Sequence, residues 1–182
     1  MTRIFLDTEF TGLHKRSTLI SLALYVDEST YFYAEFNDYS KHQVTPWIQE
    51  NVISKLQIQQ NFLYSKDGEQ VNLKGNKSQI KKSLRLWLAQ FGSIEIWADV
   101  LAYDWVLFCG LFGGALVVPS NIFYAPFDLS TLFRMKGLIV PNGKYDGDIN
   151  RFEFAGLENQ EQHHALADAR VGKLCYEKLM ER

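Results

Sequence analysis

Two carboxylates stand close together near the start of the chain. Asp7 and Glu9 lie toward the end of residues 3–10, a stretch that is apolar, β-prone and free of Gly and Pro, and so reads as a strand. Residues i and i+2 of a strand share a face, so both carboxylates project into one place. Like charges held close repel: one must take up a proton, or a cation must sit between them. Carboxylate oxygens are hard ligands suited to Mg²⁺ or Mn²⁺. On this stretch alone, a solvated strand end accounts for the pair as well.

Two more acids occupy unusual positions. Asp104 falls at the start of a helix that follows a strand, where backbone N–H groups favour an anion. It also interrupts an apolar run, Ala102-Tyr103-Asp104-Trp105-Val106-Leu107, in which an unpaired carboxylate would be costly. Asp168 sits in the early turns of the last helix between Ala167 and Ala169, small residues that let the helix approach a sheet closely. His163 precedes Asp168 by five residues. Within a helix that spacing separates the two faces; ahead of the helix, His163 can lean over the same site. A helix cap or a solvated acid is the alternative for each residue taken alone.

The elements that must position these groups follow from pattern. Residues 18–26 and 30–36 are β-branched and aromatic, and with residues 3–10 they suggest an antiparallel meander. Pro46 suits the first turn of a short helix capped by Thr45. Asp67-Gly68 marks a small hairpin between residues 63–64 and 71–73, or else a surface loop. Residues 78–91 form a helix with Ile80, Leu84, Trp87, Leu88 and Phe91 on its apolar face. Its other face carries Lys77, Lys81, Lys82 and Arg85, which serve solubility or a polyanion track. Gly92 ends that helix, residues 94–98 are a fourth strand and residues 103–112 a helix. Residues 121–127 read as a fifth strand, Asp128 caps a helix to about residue 135, residues 141–156 form a loop, and residues 164–179 are the last helix. The expectation is a single α/β domain over residues 1–182, with a mixed five-stranded sheet flanked by helices.

Composition narrows the class. The chain has 182 residues, 47% hydrophobic and 22% charged, ordinary for a soluble globular protein with a core of its own. The formal net charge is −2, so a polyanionic substrate would need a local basic patch. Cys109 and Cys175 lie in apolar surroundings and read as reduced core thiols. The chain enters a strand at once, with no signal-peptide pattern, and its longest apolar run, residues 105–118, is too short to span a bilayer. A cytoplasmic protein without membrane contact is expected.

Three of these segments resemble the motifs of one enzyme group. Asp7-Thr8-Glu9-Phe10-Thr11-Gly12-Leu13 resembles the first motif of the DEDDh 3′–5′ exonucleases, which include polymerase proofreading subunits, ribonuclease T and oligoribonuclease. Tyr103-Asp104 matches the aromatic–aspartate end of their second motif, and His163-His164-Ala165-Leu166-Ala167-Asp168-Ala169 matches the third, His-x-Ala-x-x-Asp-Ala. The segment from Trp97 to Asp104 looks like the small bacterial and phage exoribonucleases related to ribonuclease T. The resemblance implies a ribonuclease H-like fold, and a metal-dependent exonuclease acting on single-stranded 3′ ends, RNA favoured over DNA. It implies that Asp7, Glu9, Asp104 and Asp168 hold two Mg²⁺ or Mn²⁺ ions and that His163, not His164, is the general base. Backbone around Phe10, Thr11 and Gly12 would hold the terminal 3′-hydroxyl, and Leu13 would wedge against the last bases. Phe10 or Tyr103 would stack on any base, with Trp105 more suited to core packing. A homodimer is expected by the same resemblance. The rival readings are a DNA exonuclease for proofreading or trimming, and a non-catalytic nucleic-acid-binding scaffold.

Overall fold

The computed structural model describes residues 1–58, 64–67, 69–138, 149–158 and 162–181. The sheet is built outward from β1 (Thr2–Phe10). On one side β1 pairs antiparallel with β2 (Leu19–Asp27), and β2 antiparallel with β3 (Thr30–Phe36). On the other side it pairs in parallel with β6 (Ile94–Ala98), which in turn pairs with β7 (Phe127–Asp128). The meander and the mixed α/β class are those expected.

The sheet has seven strands, not five, and with β4 (Tyr64–Asp67) and β5 (Glu69–Gly75) their order is β4-β5-β3-β2-β1-β6-β7. The additions are β4 and β5, the antiparallel hairpin that competed with a surface loop in the sequence. Val71 and Leu73 settle the choice between them, because burying both against the core needs the alternation of a strand. The expected strand at residues 121–127 shrinks to the two residues of β7 plus one isolated bridge, Ile94 to Ile122. Pro126 falls inside that segment and Pro119 just before it, and neither has the N–H that a ladder needs.

Helices cover both faces. α1 (Pro46–Asn51) is capped by Thr45, whose Oγ1 accepts the Ile48 N–H, and a 3₁₀ turn, Ile53–Lys55, continues it. α2 (Lys77–Leu88) starts one residue early because Asn76 and Gln79 form a capping box. α3 (Ala102–Phe112) ends at Gly113, whose φ of 109° suits glycine. α4 (Leu129–Met135) is capped by Asp128 as expected. Within the expected loop of residues 141–156, the structure has a short helix, α5 (Arg151–Ala155). Phe152 is buried beside Phe133 and Cys175, so this piece is apolar anchorage; residues 141–148 lie outside the described residues. α6 (Ala165–Met180) closes the fold. Among the described residues, no helix is long and apolar enough to cross a membrane.

The period of two along β1 divides the core. Ile4 and Leu6 pack with Leu84 and Phe108 of α2 and α3 on one face. Phe5 packs with Leu129 and Tyr176 of α4 and α6 on the other. At Gly172 an added Cβ would lie 3.3 Å from Leu129, which shows how closely α6 is applied. Cys109 and Cys175 are buried free thiols.

Candidate active site

Asp7 and Glu9 share the α6 face at the end of β1, as their spacing requires. The first turn of α6 brings Asp168 to them. One carboxylate oxygen from each of Asp7, Glu9 and Asp168 can be chosen so that all three lie within 4.8 Å of one another. Oδ2 of Asp7 is buried and accepts no hydrogen bond from the described residues. An orphaned anionic oxygen among two more carboxylates is costly unless a cation joins them, so this donor set fits a hard divalent ion.

Asp104 reaches the site from the opposite face, on α3. Its Oδ1 accepts hydrogen bonds from Thr8 N–H (2.9 Å) and Thr8 Oγ1–H (2.7 Å). Thr8 points away from Asp7 and Glu9 by the same alternation, so Asp104 docks beside the cluster and outside the tight group of three. Its charge still acts on the others.

The electrostatics follow from this crowding. Burial, then Asp168 and Asp104, push Asp7 well above the ordinary carboxylate range. Burial and Asp168 raise Glu9 to about 8, against the pull of Lys55. Burial raises Asp168 to about 7 although hydrogen bonds from the His163 and His164 backbone oppose it. Burial raises Asp104 to about 6, and the bonds from Thr8 oppose the rise.

The two histidines diverge. α6 begins at Ala165, one residue later than the periodicity predicts, because His164 is extended (φ −120°, ψ 111°) and serves as the N-cap. His164 is buried, its ring 4.9 Å from that of Tyr33 on β3. His163 adopts a left-handed conformation, φ 67°, and lines the cleft with Asp7, Glu9 and Asp168. Burial and Lys55 both lower its pKa, so its imidazole is neutral near pH 7.

The expected substrate-binding segment surrounds the end of β1. The rings of Phe10 and Tyr103 stack on each other at 5.6 Å. Thr11 is buried, and its Oγ1 donates to Gln43 Oε1 (2.6 Å). Gly12 has φ 145°, and a Cβ there would crowd the His14 ring at 3.2 Å. Leu13 is exposed. Trp105 packs against the core beside Phe108.

Several cleft residues were not singled out by sequence reasoning. The cleft, about 430 Å³, continues past the carboxylates to Asp99, Asn150 and Arg151. Arg151 grips Asp99 through Nε (2.7 Å) and Nη2 (3.1 Å), and its guanidinium lies 4.0 Å from the Phe133 ring centroid. Asp99 lay inside the segment that carried the resemblance, but Arg151 fell in an expected loop with no motif around it. Trp47 of α1 meets His163 edge-on at 5.0 Å, and Lys55 donates to the Gln162 carbonyl; neither has a periodic signal.

Carboxylates gathered at the end of β1, with His163 over them, suit a nuclease. More narrowly, the chain belongs to the family of the 3′-5′ exoribonuclease Rv2179c-like domain, whose model matches residues 2–180. It is 28% identical over 137 residues to the 3′-5′ exoribonuclease Rv2179c of Mycobacterium tuberculosis (strain ATCC 25618 / H37Rv), 74% of this chain and 76% of that protein. The same figures hold for the 3′-5′ exoribonuclease MT2234.1 of strain CDC 1551 / Oshkosh. Among solved structures, the Neurospora crassa Pan2 catalytic unit (protease and nuclease domain) aligns at 18% identity and TM-score 0.48, covering 99% of this chain and 27% of that one.

Proposed function

We propose that this chain is a metal-dependent 3′–5′ exoribonuclease that shortens single-stranded RNA from its 3′ end. The observation that carries the reading is the convergence of Asp7, Glu9 and Asp168 around an Asp7 oxygen that no hydrogen bond from the described residues satisfies. Asp7, Glu9 and Asp168, with Asp104 beside them, would hold two divalent ions, Mg²⁺ or Mn²⁺, whose charge would offset the carboxylate crowding and stabilise charge building on the scissile phosphate. The chain's own groups supply the rest. His163 takes the proton of the attacking water as its oxygen bonds to phosphorus. The 3′ oxygen of the penultimate nucleotide leaves, giving a nucleoside 5′-monophosphate and a shortened 3′-hydroxyl end. Backbone at Phe10, Thr11 and Gly12 holds the terminal hydroxyl, Leu13 wedges the last bases, and the Phe10–Tyr103 stack accepts any base face.

The test uses 5′-labelled linear RNA, circular RNA of the same sequence and linear DNA, each with Mn²⁺, Mg²⁺ or EDTA. Stepwise shortening of linear RNA with metal, and of neither circular RNA nor the EDTA controls, is the expected result. Cleavage of the circle would mean an endonuclease, faster digestion of DNA would favour a DNA exonuclease, and no digestion with either metal would favour a scaffold.

A further inference from the structure

His163 has a backbone conformation that is unfavourable for a non-glycine residue and persists only where its surroundings over-determine it. Those surroundings come from the segment after β3. Lys55, the last residue of the 3₁₀ turn, donates from Nζ to the carbonyl of Gln162, the residue just before His163. Trp47, one element earlier, packs its ring against the His163 ring.

The segment that carries Lys55 is itself pinned by a buried hub. Glu35 of β3 is fully buried. Its Oε1 accepts the N–H groups of Gln57 (2.7 Å) and Ile58 (2.9 Å) and the hydroxyl of Tyr33 (3.0 Å). Its Oε2 accepts from Lys74 Nζ (2.9 Å), which also donates to the Ile58 carbonyl (2.9 Å). The donors on that carboxylate therefore tie β3 to β5 through Lys74 and to Gln57 and Ile58, the two residues that begin two positions after Lys55, while Tyr33 of β3 itself supplies the remaining bond. The Tyr33 ring in turn braces His164. The sheet thus reaches the His163–His164 turn by two routes, one through Tyr33 and one through Lys55.

We propose that Lys55 is a positioning residue that holds the Gln162–His163 turn so that the imidazole stands over Asp7, Glu9 and Asp168. This rests on the reading of His163 as general base. The Lys55 bond to Gln162 lies near the surface, so its loss leaves no buried charge stranded. Loss of Glu35 or Lys74 would leave one, and would confound the measurement.

Lys55→Met and Lys55→Arg are made in the wild-type and His163→Ala backgrounds. For each, kcat and KM on 5′-labelled RNA, Mn²⁺ affinity by calorimetry and melting temperature are measured. Lys55→Met should lower kcat about 10- to 100-fold, the scale of a misplaced catalytic group, with KM and Mn²⁺ affinity little changed. Lys55→Arg should recover most of the rate, and Lys55→Met should cost nothing further once His163 is alanine. The proposal is overturned by an unchanged kcat, by a loss confined to KM (a lysine that grips substrate phosphate), by weakened Mn²⁺ binding that accounts for the loss, or by an equal loss in the His163→Ala background. A fully active His163→Ala single variant would instead remove the general-base reading itself. If Lys55→Met melts early, Lys55→Ala, which also lacks the donor, replaces it under the same criteria.

Discussion

His163 and His164 are neighbours in the chain and opposites in the structure. One lines the cleft in a left-handed turn, and the other is buried against Tyr33 as a helix cap. His163→Ala should therefore cost about 10²–10⁴-fold in kcat, the usual contribution of a general base, while Mn²⁺ affinity measured by calorimetry persists. His164→Ala should keep the rate per folded molecule yet lower the melting temperature, because it empties a buried contact. The reverse pattern would mean that the third motif is read one residue out of register. At Asp7 the crowding makes a second prediction. Asp7→Asn should abolish turnover and, in EDTA at pH 8, raise the melting temperature, since a carboxyl whose ionisation is disfavoured by burial and by its acidic neighbours is gone.

At the scale of elements, β1 decides most of the site. Its alternation aims Asp7 and Glu9 at α6 and Thr8 at α3, so helices on opposite faces deliver Asp168 and Asp104 to one strand end. The basic side of α2 has a different fate. β5 runs parallel to β3, and β3 parallel to β1, so α2 starts at the carboxylate end of the sheet and runs away from it. Arg85 at its far end is spent on the Phe112 ring and the Val117 carbonyl. Lys81→Glu with Lys82→Glu should thus leave the salt dependence of KM unchanged; a flatter slope would restore the face as a polyanion track. The spacing of Asp7 and Glu9, the apolar stripe of α2 and the Asp128 cap were legible because each is local, written in a period or a cap residue. The β4–β5 hairpin was ambiguous because its strands are short and its partner, β3, is distant in sequence. Lys55, Trp47 and Arg151 were illegible because their roles come from contacts across the fold, and no spacing rule encodes those.

For the whole molecule, the raised carboxylates set how stability varies with pH. Folded Asp104, Asp168 and Glu9 hold protons up to about 6, 7 and 8, whereas unfolded carboxylates release them near pH 4. The folded state therefore binds more protons over that interval, and the cluster's contribution to stability falls as pH rises from about 4 to about 8. A divalent ion binds the deprotonated ligands, so the gain in melting temperature on adding Mn²⁺ should grow across the same interval. A gain that is flat with pH would place the ion elsewhere. The most direct measurement of the central claim is digestion of 5′-labelled RNA by wild type, Asp7→Asn and Asp168→Asn, each shown to be folded, with Mn²⁺ and with EDTA. A ladder shortening from the 3′ end with wild type and Mn²⁺ alone is the predicted result; wild-type rates from either variant, or digestion that persists in EDTA, would contradict it.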